Sequence, residues 1–202
     1  MLNIAVFVSG GGTNLQSLID ACNRNEINGQ IKLVVSNRKN AYGLQRAKNA
    51  GIKAEWISSK DENQLITRLE EEKIDVIILA GYLAIISDHL INLYKNRIIN
   101  IHPSLIPSFC GPGFYGLHVH ENAFNRGVKV SGATVHFVSN VVDGGPIILQ
   151  EAIDVSLAKS PEEMQEMVLT IEHQILPRAV ALFCDGRLKV ENERVEIQWK
   201  EH

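Results

Sequence analysis

The residues best suited to chemistry stand in two short polar segments, NIHP at 100–103 and DGGP at 143–146. Asn100 carries an amide, His102 an imidazole and Asp143 a carboxylate. A carboxylate can orient an imidazole ring and favour its protonated form. An amide N–H beside that ring can stabilise an oxyanion as it develops. If the chain brings the three side chains together, they predict an acyl-transfer site without a serine or cysteine nucleophile.

Each of these residues also has an ordinary structural explanation. A histidine after a buried strand is often a core residue, and an aspartate before two glycines is typical of a turn. His118 and His120 suggest zinc only weakly, because no further acidic or cysteine ligands follow at a suitable spacing, and no metal is expected. His136 alternates with apolar residues, which indicates a core residue or a supporting partner of the site. Cys110 has no evident base nearby, so we do not predict a nucleophilic role for it.

A second candidate site is the segment SGGGTN, at residues 9–14. Consecutive glycines let backbone N–H groups approach an anion at a helix N-terminus, where the dipole favours negative charge. Thr13 is expected to cap that helix, and a tight turn alone would need fewer glycines. The segment lacks the last glycine and the acid of a dinucleotide fingerprint, and it lacks the lysine of a Walker A loop. A single phosphomonoester is therefore the expected ligand, and Arg38 keeps an NADP enzyme as a weaker alternative.

The elements that must position these residues alternate between strand and helix. Apolar runs at 3–9, 31–36, 74–81 and 97–101 predict buried strands, with amphipathic helices between them. Beyond residue 130, the sequence predicts two neighbouring strands, a long helix that begins with a capping box at Ser160 and Glu163, and a terminal hairpin. The expected fold is a single α/β, Rossmann-like domain with an open, mostly parallel mixed sheet flanked by helices.

Composition and charge narrow the class of protein. The 202 residues suffice for one domain with a full core, and 45% of them are hydrophobic. A net charge of −3 gives no indication of nucleic-acid or membrane partners. The widely spaced Cys22, Cys110 and Cys184 favour a reducing cytoplasm over a disulfide scaffold. The apolar run at the N-terminus has no basic leader and is too short for a signal or membrane segment.

Five segments together resemble the glycinamide ribonucleotide (phosphoribosylglycinamide) formyltransferases, which belong to the folate-dependent formyltransferases. They are VFVSGGGTNLQSLID, ILAGYLAIIS, NIHPSLIPSF, GATVHFVSNVVDGGPIILQ and IEHQILP. The resemblance covers nearly the whole chain, and NIHPSL combined with the distant DGGPII is highly specific. It implies a cytoplasmic enzyme of de novo purine (IMP) biosynthesis. Such an enzyme transfers a formyl group from 10-formyltetrahydrofolate, a co-substrate, to the amine of glycinamide ribonucleotide.

The resemblance also implies a role for each site residue. The catalytic residues fall on Asn100, His102 and Asp143, which stabilise the tetrahedral intermediate after direct attack by the amine. The phosphate and nucleotide contacts fall on Gly11, Gly12, Thr13, Asn14 and Glu172. The folate pocket falls on Leu83, Ala84, Ile85, Ile86, Asn100, Ser139, Asn140, Val141, Val142 and Asp143.

Residues 1–202 then form one formyltransferase domain, with a phosphate- and nucleotide-binding half at 1–100 and a catalytic and folate-binding half at 101–202. The expected partners are the two small-molecule substrates, and the expected state is a monomer or weak homodimer.

The sequence departs from the family pattern in four places, one of which is the segment SSKDENQL at 58–65, where the family arginine near the folate tail has no clear counterpart. The loop between Pro107 and Leu117 is several residues longer than the short PGLH-like link of the family. Ala84 stands where an arginine often lies beside the folate, and Leu169 stands where a residue near the nucleotide is often polar. The glycines and aromatic residues of the long loop predict a mobile flap near the folate, and a rigid surface excursion is the alternative.

Three other functions compete with this interpretation. A methionyl-tRNA formyltransferase shares the catalytic motif, but it adds a C-terminal domain and needs a basic surface for tRNA. A formyltetrahydrofolate hydrolase usually carries an N-terminal regulatory domain, whereas the first predicted strand here begins at residue 3. A non-catalytic nucleotide-binding module would keep the glycine segment but has no use for Asn100, His102 and Asp143 together.

Overall fold

The centre of the molecule is a seven-stranded mixed sheet, and a computed structural model describes it within residues 1–198. The strands of this sheet are β1 Leu2–Val8, β2 Gly29–Ser36, β3 Lys53–Trp56, β4 Val76–Leu79, β5 Ile98–His102, β6 Val130–Phe137 and β7 Ile147–Asp154. The helices are α1 Thr13–Asn23, α2 Tyr42–Asn49, α3 Glu62–Glu71, α4 Asp88–Leu93, α5 Leu117–Arg126 and α6 Pro161–Cys184. A separate hairpin, β8 Leu188–Glu191 and β9 Arg194–Ile197, follows α6.

The strand order is β3-β2-β1-β4-β5-β6-β7. Strands β1 to β5 pair in parallel, whereas β6 pairs antiparallel with both β5 and β7. The predicted open, mostly parallel mixed sheet is therefore confirmed, together with the long helix and the terminal hairpin. The apolar runs of β1 and β4 suit the parallel part, because central strands covered by helices on both faces bury most of their side chains, whereas the edge strand β3 buries none fully.

Two hydrophobic clusters cover the two faces of the sheet. One cluster joins α1, α5 and α6 to the sheet, and the other joins α3 and α4 to the opposite face. Ile99 and Ile101 of β5 belong to the first cluster, and Ile98 belongs to the second. Because side chains alternate along a strand, Asn100 and His102 lie on the same face as Ile98.

Helix α6 begins as the sequence predicts. The Ser160 hydroxyl accepts from the N–H of Glu163 at 3.2 Å, and the Glu163 carboxylate accepts from the N–H of Lys159 at 2.7 Å. The helix has 24 residues and is long and apolar enough to cross a membrane by length and composition alone. Its apolar residues, including Val168, Leu176 and Val180, are buried in the first hydrophobic cluster, so it serves here as the core helix of the domain.

The prediction that Thr13 caps α1 is wrong. Gly12 occupies the capping position with a left-handed backbone (φ 72°), and no side chain caps the helix. A left-handed conformation suits glycine, which has no Cβ, and the segment places Gly12 rather than Thr13 at the turn. The N–H groups of the first turn of α1 consequently remain uncapped.

Candidate active site

Strand pairing brings four polar side chains to one face of the sheet. Asn100 and His102 are two residues apart on β5, so both project to the same side. In the antiparallel pair, Asn100 lies opposite His136 and His102 lies opposite Thr134. Directly opposed residues share a face, so all four side chains meet there. Asn100 therefore lies inside the strand, and only His102 is at the strand end where the sequence placed both residues.

His136 orients the amide of Asn100. The carbonyl oxygen of Phe137 lies 2.9 Å from His136 Nδ1 and can only accept, so the neutral ring carries its proton on Nδ1. His136 Nε2 is then an acceptor and receives a hydrogen bond from Asn100 Nδ2 at 3.1 Å. Burial lowers the pKa of His136, which keeps the ring neutral. One N–H of Asn100 is thereby committed, and the other has no acceptor within residues 1–198.

Asp143 reaches the same face by a loop that folds back over the sheet. Strand β6 ends at Phe137, beside the beginning of β5, and the carboxylate returns toward the end of β5. Asp143 Oδ2 lies 3.6 Å from His102 Nδ1, and Oδ1 lies 3.7 Å from His136 Nε2. Gly145 permits this path, because a Cβ there would overlap the carbonyl oxygen of Phe137. The predicted meeting of the three side chains thus depends on a returning loop rather than on two adjacent strand ends.

The segment 108–116, here called the cover loop, contacts both His102 and Asp143. His102 Nε2–H donates to the carbonyl oxygen of Phe109 at 2.9 Å. The N–H of Gly111 donates to Asp143 Oδ2 at 2.8 Å. Both ring nitrogens of His102 therefore face oxygen atoms, with the carbonyl oxygen of Phe109 at hydrogen-bond distance from Nε2 and Asp143 Oδ2 slightly beyond it from Nδ1. Sequence reasoning missed these backbone contacts, although the dense glycines of the loop marked it as conformationally unusual.

Phe109 and Asp143 share an uncommon backbone conformation. Phe109 has φ 48° and Asp143 has φ 54°, both in the left-handed region. Aspartate tolerates this region, whereas a bulky residue such as phenylalanine rarely occupies it. Strained residues of this kind concentrate at functional sites, where the surrounding structure holds them in place. The two residues that face the ring nitrogens of His102 are thus both held in restricted conformations.

Thr134 is a structural part of the site that the sequence did not reveal. Its buried hydroxyl donates to the carbonyl oxygen of Ser104 at 2.7 Å and accepts from the N–H of Ile106 at 3.1 Å. It also accepts from Nε2 of Gln150 at 2.9 Å. These bonds use the full capacity of a hydroxyl. Thr134 thereby fixes the turn that leads from His102 to the cover loop.

The remaining histidines and cysteine of this region do not form a metal site. His118 is exposed and pairs with Glu121 at 2.8 Å, whereas His120 is buried and has no hydrogen-bond partner among residues 1–198. Burial, with a smaller effect of His102, lowers the pKa of His120 to about 4. Burial and the charge of Asp143 raise the pKa of the Cys110 thiol, which disfavours the reactive thiolate. In the described part of the chain, no three potential metal-ligating side chains cluster.

The glycine segment forms a second polar site at the start of α1. Asn14 Nδ2 donates to Glu172 Oε2 at 2.7 Å. This hydrogen bond brings α6 to the start of α1, so the site is built from residues far apart in the sequence. Burial raises the pKa of Glu172 to about 6, and the hydrogen bond from Asn14 partly opposes this rise. Asn14 Oδ1 is buried and has no partner within residues 1–198. Buried polar atoms normally have partners, so an unpaired atom here indicates space for a ligand or water.

The predicted folate residues lie on two loops near the sheet face that carries Asn100. The first loop is tied to the glycine segment, because Ser9 Oγ accepts from the N–H of Leu83 at 2.8 Å. Several apolar side chains of the two loops are exposed: Leu83 is 41% exposed, Ile85 86%, Val141 68% and Val142 47%. Ala84, Ile86 and Ser139 are half-buried, and Asn140 is exposed. Exposed apolar side chains beside a polar site are typical of ligand-binding surfaces.

Comparison with known proteins decides the family. The sequence model of the formyl transferase family matches residues 2–180, which include every residue predicted above to be catalytic or ligand-binding. The chain is 40% identical to phosphoribosylglycinamide formyltransferase of Escherichia coli strain K12 over 196 residues. This match covers 94% of the chain and 90% of the relative. The chain belongs to the formyl transferase family.

Two further relatives agree with this assignment. The human trifunctional purine biosynthetic protein adenosine-3 is 38% identical over 203 residues, which cover 97% of this chain and 20% of that protein. The crystal structure of glycinamide ribonucleotide transformylase 1 from Symbiobacterium toebii superposes with a TM-score of 0.91 at 41% identity. That comparison covers 98% of this formyltransferase and 94% of the other chain. The fold and the enzyme class therefore rest on both sequence and structure.

The departures noted in the sequence occupy distinct places in this formyltransferase. Ala84 is half-buried in the loop after β4, and Leu169 is half-buried on α6. Neither residue provides a charge for a ligand. The long loop is the cover loop, which lies against His102 and Asp143. The loop that the sequence comparison identified as longer than the family pattern thus contacts the polar site directly.

Proposed function

We propose that this formyltransferase transfers a formyl group from 10-formyltetrahydrofolate to the amine of glycinamide ribonucleotide in de novo purine biosynthesis. The observation that carries the proposal is the meeting of Asn100, His102 and Asp143 on one face of the sheet. The names of the relatives support the choice of acceptor. The enzyme is expected in the cytoplasm as a monomer or weak homodimer, with no metal, nucleic-acid or membrane partner.

The nucleotide is proposed to bind at the glycine segment. The backbone N–H groups of Gly11, Gly12, Thr13 and Asn14 hold its phosphate, because the first turn of α1 is uncapped and the helix dipole favours an anion. The buried carboxylate of Glu172 accepts hydrogen bonds from the sugar or the amine. Residues 1–100 then form the phosphate- and nucleotide-binding half of the domain, although Glu172 comes from the other half.

The folate is proposed to bind against the two loops that carry the exposed apolar side chains. Residues 83–86 and 139–143 contact its flat rings, and Asn100 lies between this pocket and the nucleotide. Apolar walls with a few polar groups are the usual lining of a small-molecule site. Residues 101–202 then form the catalytic and folate-binding half, to which residues 83–86 contribute from the first half.

The proposed mechanism is direct attack of the substrate amine on the formyl carbon. A C–N bond forms, and the formyl oxygen becomes an oxyanion. His102, with Asp143 beside its other ring nitrogen, and the second N–H of Asn100 donate to that oxygen. The bond from the formyl carbon to the folate nitrogen then breaks. One proton moves from the amine to the folate nitrogen, through His102 or water.

The cover loop places a condition on this mechanism. His102 Nε2–H is bonded to the carbonyl oxygen of Phe109, so it cannot donate to the formyl oxygen at the same time. The formyl oxygen therefore replaces the carbonyl of Phe109 when the substrates bind. This exchange requires a local movement of the cover loop, for which Gly111, Gly113 and Gly116 provide the conformational freedom.

The test is a formyl-transfer assay with the purified protein, glycinamide ribonucleotide and 10-formyltetrahydrofolate. We expect formylated ribonucleotide by mass spectrometry, at a rate well above formate release in a reaction without acceptor. Equal formate release with and without acceptor would indicate a hydrolase and contradict the proposal. Formylation of methionyl-tRNA in place of the ribonucleotide would contradict it as well.

A further inference from the structure

Arg46 connects helix α2 to the glycine segment. Its Nε–H donates to the carbonyl oxygen of Gly11 at 2.8 Å, and Nη1 donates to Oε1 of Gln16 at 3.3 Å. Its guanidinium carbon also lies 5.1 Å from the centroid of the Tyr42 ring. Within residues 1–198, no carboxylate forms an ion pair with this guanidinium. Arg46 is therefore held by neutral groups, and among the described residues no carboxylate lies within ion-pair distance of its guanidinium.

Helix α2 fixes the direction of two peptide groups in the glycine segment. The N–H of Gly43 donates to the carbonyl oxygen of Gly10 at 3.0 Å, next to the bond from Arg46 to Gly11. In a planar trans peptide, the carbonyl and the following N–H point in opposite directions. Because both carbonyls face α2, the N–H groups of Gly11 and Gly12 point away from it. Neither N–H has an acceptor in the described chain.

The close contact between the segment and α2 leaves little freedom for another arrangement. Gly12 has φ 72°, and a Cβ at this position would lie 2.7 Å from the Cα of Gly43. The segment itself carries no charged side chain. The guanidinium of Arg46 is therefore a positive charge attached directly to the backbone that presents the N–H donors.

The surroundings of Arg46 show that it is the relevant cation on this side of the loop. It lines a cavity of about 360 Å³ together with Thr13, Gln16, Ser17, Asp20, Arg24 and His173, and the Asp20 carboxylate accepts from Gln16 Nε2 at 2.9 Å. Arg24 is paired with Glu26 at 2.7 Å. Burial, with a smaller effect of Arg46, lowers the pKa of His173 and keeps that ring neutral. Among these cavity residues, only Arg46 both carries a positive charge and donates a hydrogen bond to the backbone of the glycine segment.

We propose that Arg46 is the positioning residue of the phosphate-binding segment and supplies the positive charge that the segment lacks. The inference rests on the proposed function for the identity of the substrate. It requires no direct contact between the guanidinium and the phosphate. Arg46 orients the peptide groups through Gly11, and its charge makes the site more attractive to a phosphomonoester.

The kinetic test compares Arg46→Met and Arg46→Lys with the matched control Arg24→Met, which removes a cation from the same cavity but not from the loop. Arg46→Met should raise the KM for glycinamide ribonucleotide at least about tenfold and leave kcat within about twofold. Arg46→Lys should be intermediate, because lysine keeps the charge but not the planar Nε–H donor. Arg24→Met should resemble the wild type. With glycinamide riboside, which has no phosphate, the wild type and Arg46→Met should have equal kcat/KM.

A binding experiment separates this inference from the proposed function. Calorimetric titration with ribose 5-phosphate needs no turnover, and Arg46→Met should raise its Kd at least about tenfold. If the wild type binds ribose 5-phosphate in this way but transfers no formyl group, the proposed function fails and the role of Arg46 stands. Three results would overturn the proposed role of Arg46. Arg46→Met could bind ribose 5-phosphate with wild-type affinity, or the wild type could fail to bind it. Arg46→Met could also lower kcat/KM equally for the riboside and the ribonucleotide. Thermal unfolding checks each variant, and Arg46→Lys replaces Arg46→Met in these comparisons if the latter does not fold.

Discussion

His102 donates a hydrogen bond from Nε2 to the carbonyl oxygen of Phe109 at 2.9 Å. The other ring nitrogen, Nδ1, lies 3.6 Å from Asp143, and Asp143 accepts from the N–H of Gly111. One loop thus contacts both the imidazole and the carboxylate. A ligand oxygen that is to accept from Nε2 must take the place of the Phe109 carbonyl. In the proposed mechanism, the hydrogen bond between His102 and Phe109 therefore couples formyl transfer to a movement of the cover loop.

Substitution at the polar site should act on turnover more than on binding. His102→Ala, His102→Asn and Asp143→Asn are each expected to lower kcat at least about a hundredfold, because an oxyanion donor or its orienting carboxylate is lost. Steady-state formyl-transfer kinetics measure the effect. His89→Asn is the matched control, since His89 is an exposed histidine on helix α4, away from the cover loop. Near-normal turnover in His102→Ala would remove this residue from the mechanism.

Shortening the cover loop should change the fate of the formyl group. Replacement of residues 110–115 by a short glycine–serine link removes the N–H of Gly111 from Asp143 and opens the site to water. We expect a folded protein that releases more formate for each formyl group transferred, because hydrolysis competes when water enters. Parallel assays of formate and formylated ribonucleotide give this ratio. An unchanged ratio would mean that the loop is a rigid surface excursion with no part in excluding water.

Gly12→Val should weaken nucleotide binding selectively. The left-handed backbone of Gly12 disfavours valine, and the Cβ would lie 2.7 Å from the Cα of Gly43. The loop is therefore displaced, and the KM for the nucleotide should rise at least about tenfold while the KM for the folate stays the same. Gly10→Ala is the control, because a Cβ there meets nothing within 4 Å. A loss of folate affinity with intact nucleotide binding would show that the two binding regions have been exchanged.

Glu172→Gln should change how stability depends on pH. Burial raises the pKa of Glu172 from 4.5 to about 6, so folding favours the protonated form. The favourable contribution is complete below pH about 4.5 and is lost as the pH rises through about 6. Relative to the wild type, the glutamine variant should therefore gain about 2 kcal/mol of unfolding free energy between pH 4 and pH 7.5. Urea unfolding at the two pH values measures this difference.

The same variant tests the role of Glu172 in binding. If the carboxylate accepts hydrogen bonds from the nucleotide, Glu172→Gln should raise the KM for the nucleotide even as the protein becomes more stable at neutral pH. Asp20→Asn is the control, because it makes the same kind of change, from acid to amide, at an exposed residue of the neighbouring helix α1. If the difference in unfolding free energy between the wild type and Glu172→Gln does not vary with pH, then burial does not raise the pKa of Glu172.

Local sequence patterns predicted much of the framework because they depend on near neighbours. The apolar runs of β1 and β4 predict buried parallel strands, and Ser160 with Glu163 predicts the start of α6. Local reasoning failed at Thr13, because a glycine with a left-handed backbone took the capping position one residue earlier. It also placed Asn100 at the end of a strand, whereas the strand continues to His102. Such boundaries depend on pairing with neighbouring strands, which a single segment does not contain.

The sequence by itself determined the α/β class, the polar residues able to do chemistry and, through the resemblance of NIHPSL and DGGPII, the family. Only the tertiary structure decided how those residues contact one another. The register of β5 and β6 places His136 opposite Asn100, and the returning loop brings Asp143 to His102. Asn14 meets Glu172 across 158 positions, and Arg46 reaches Gly11 across 35. These contacts depend on strand register, helix packing and left-handed backbone positions, which arise from the folded chain as a whole and leave no periodic signal in the sequence.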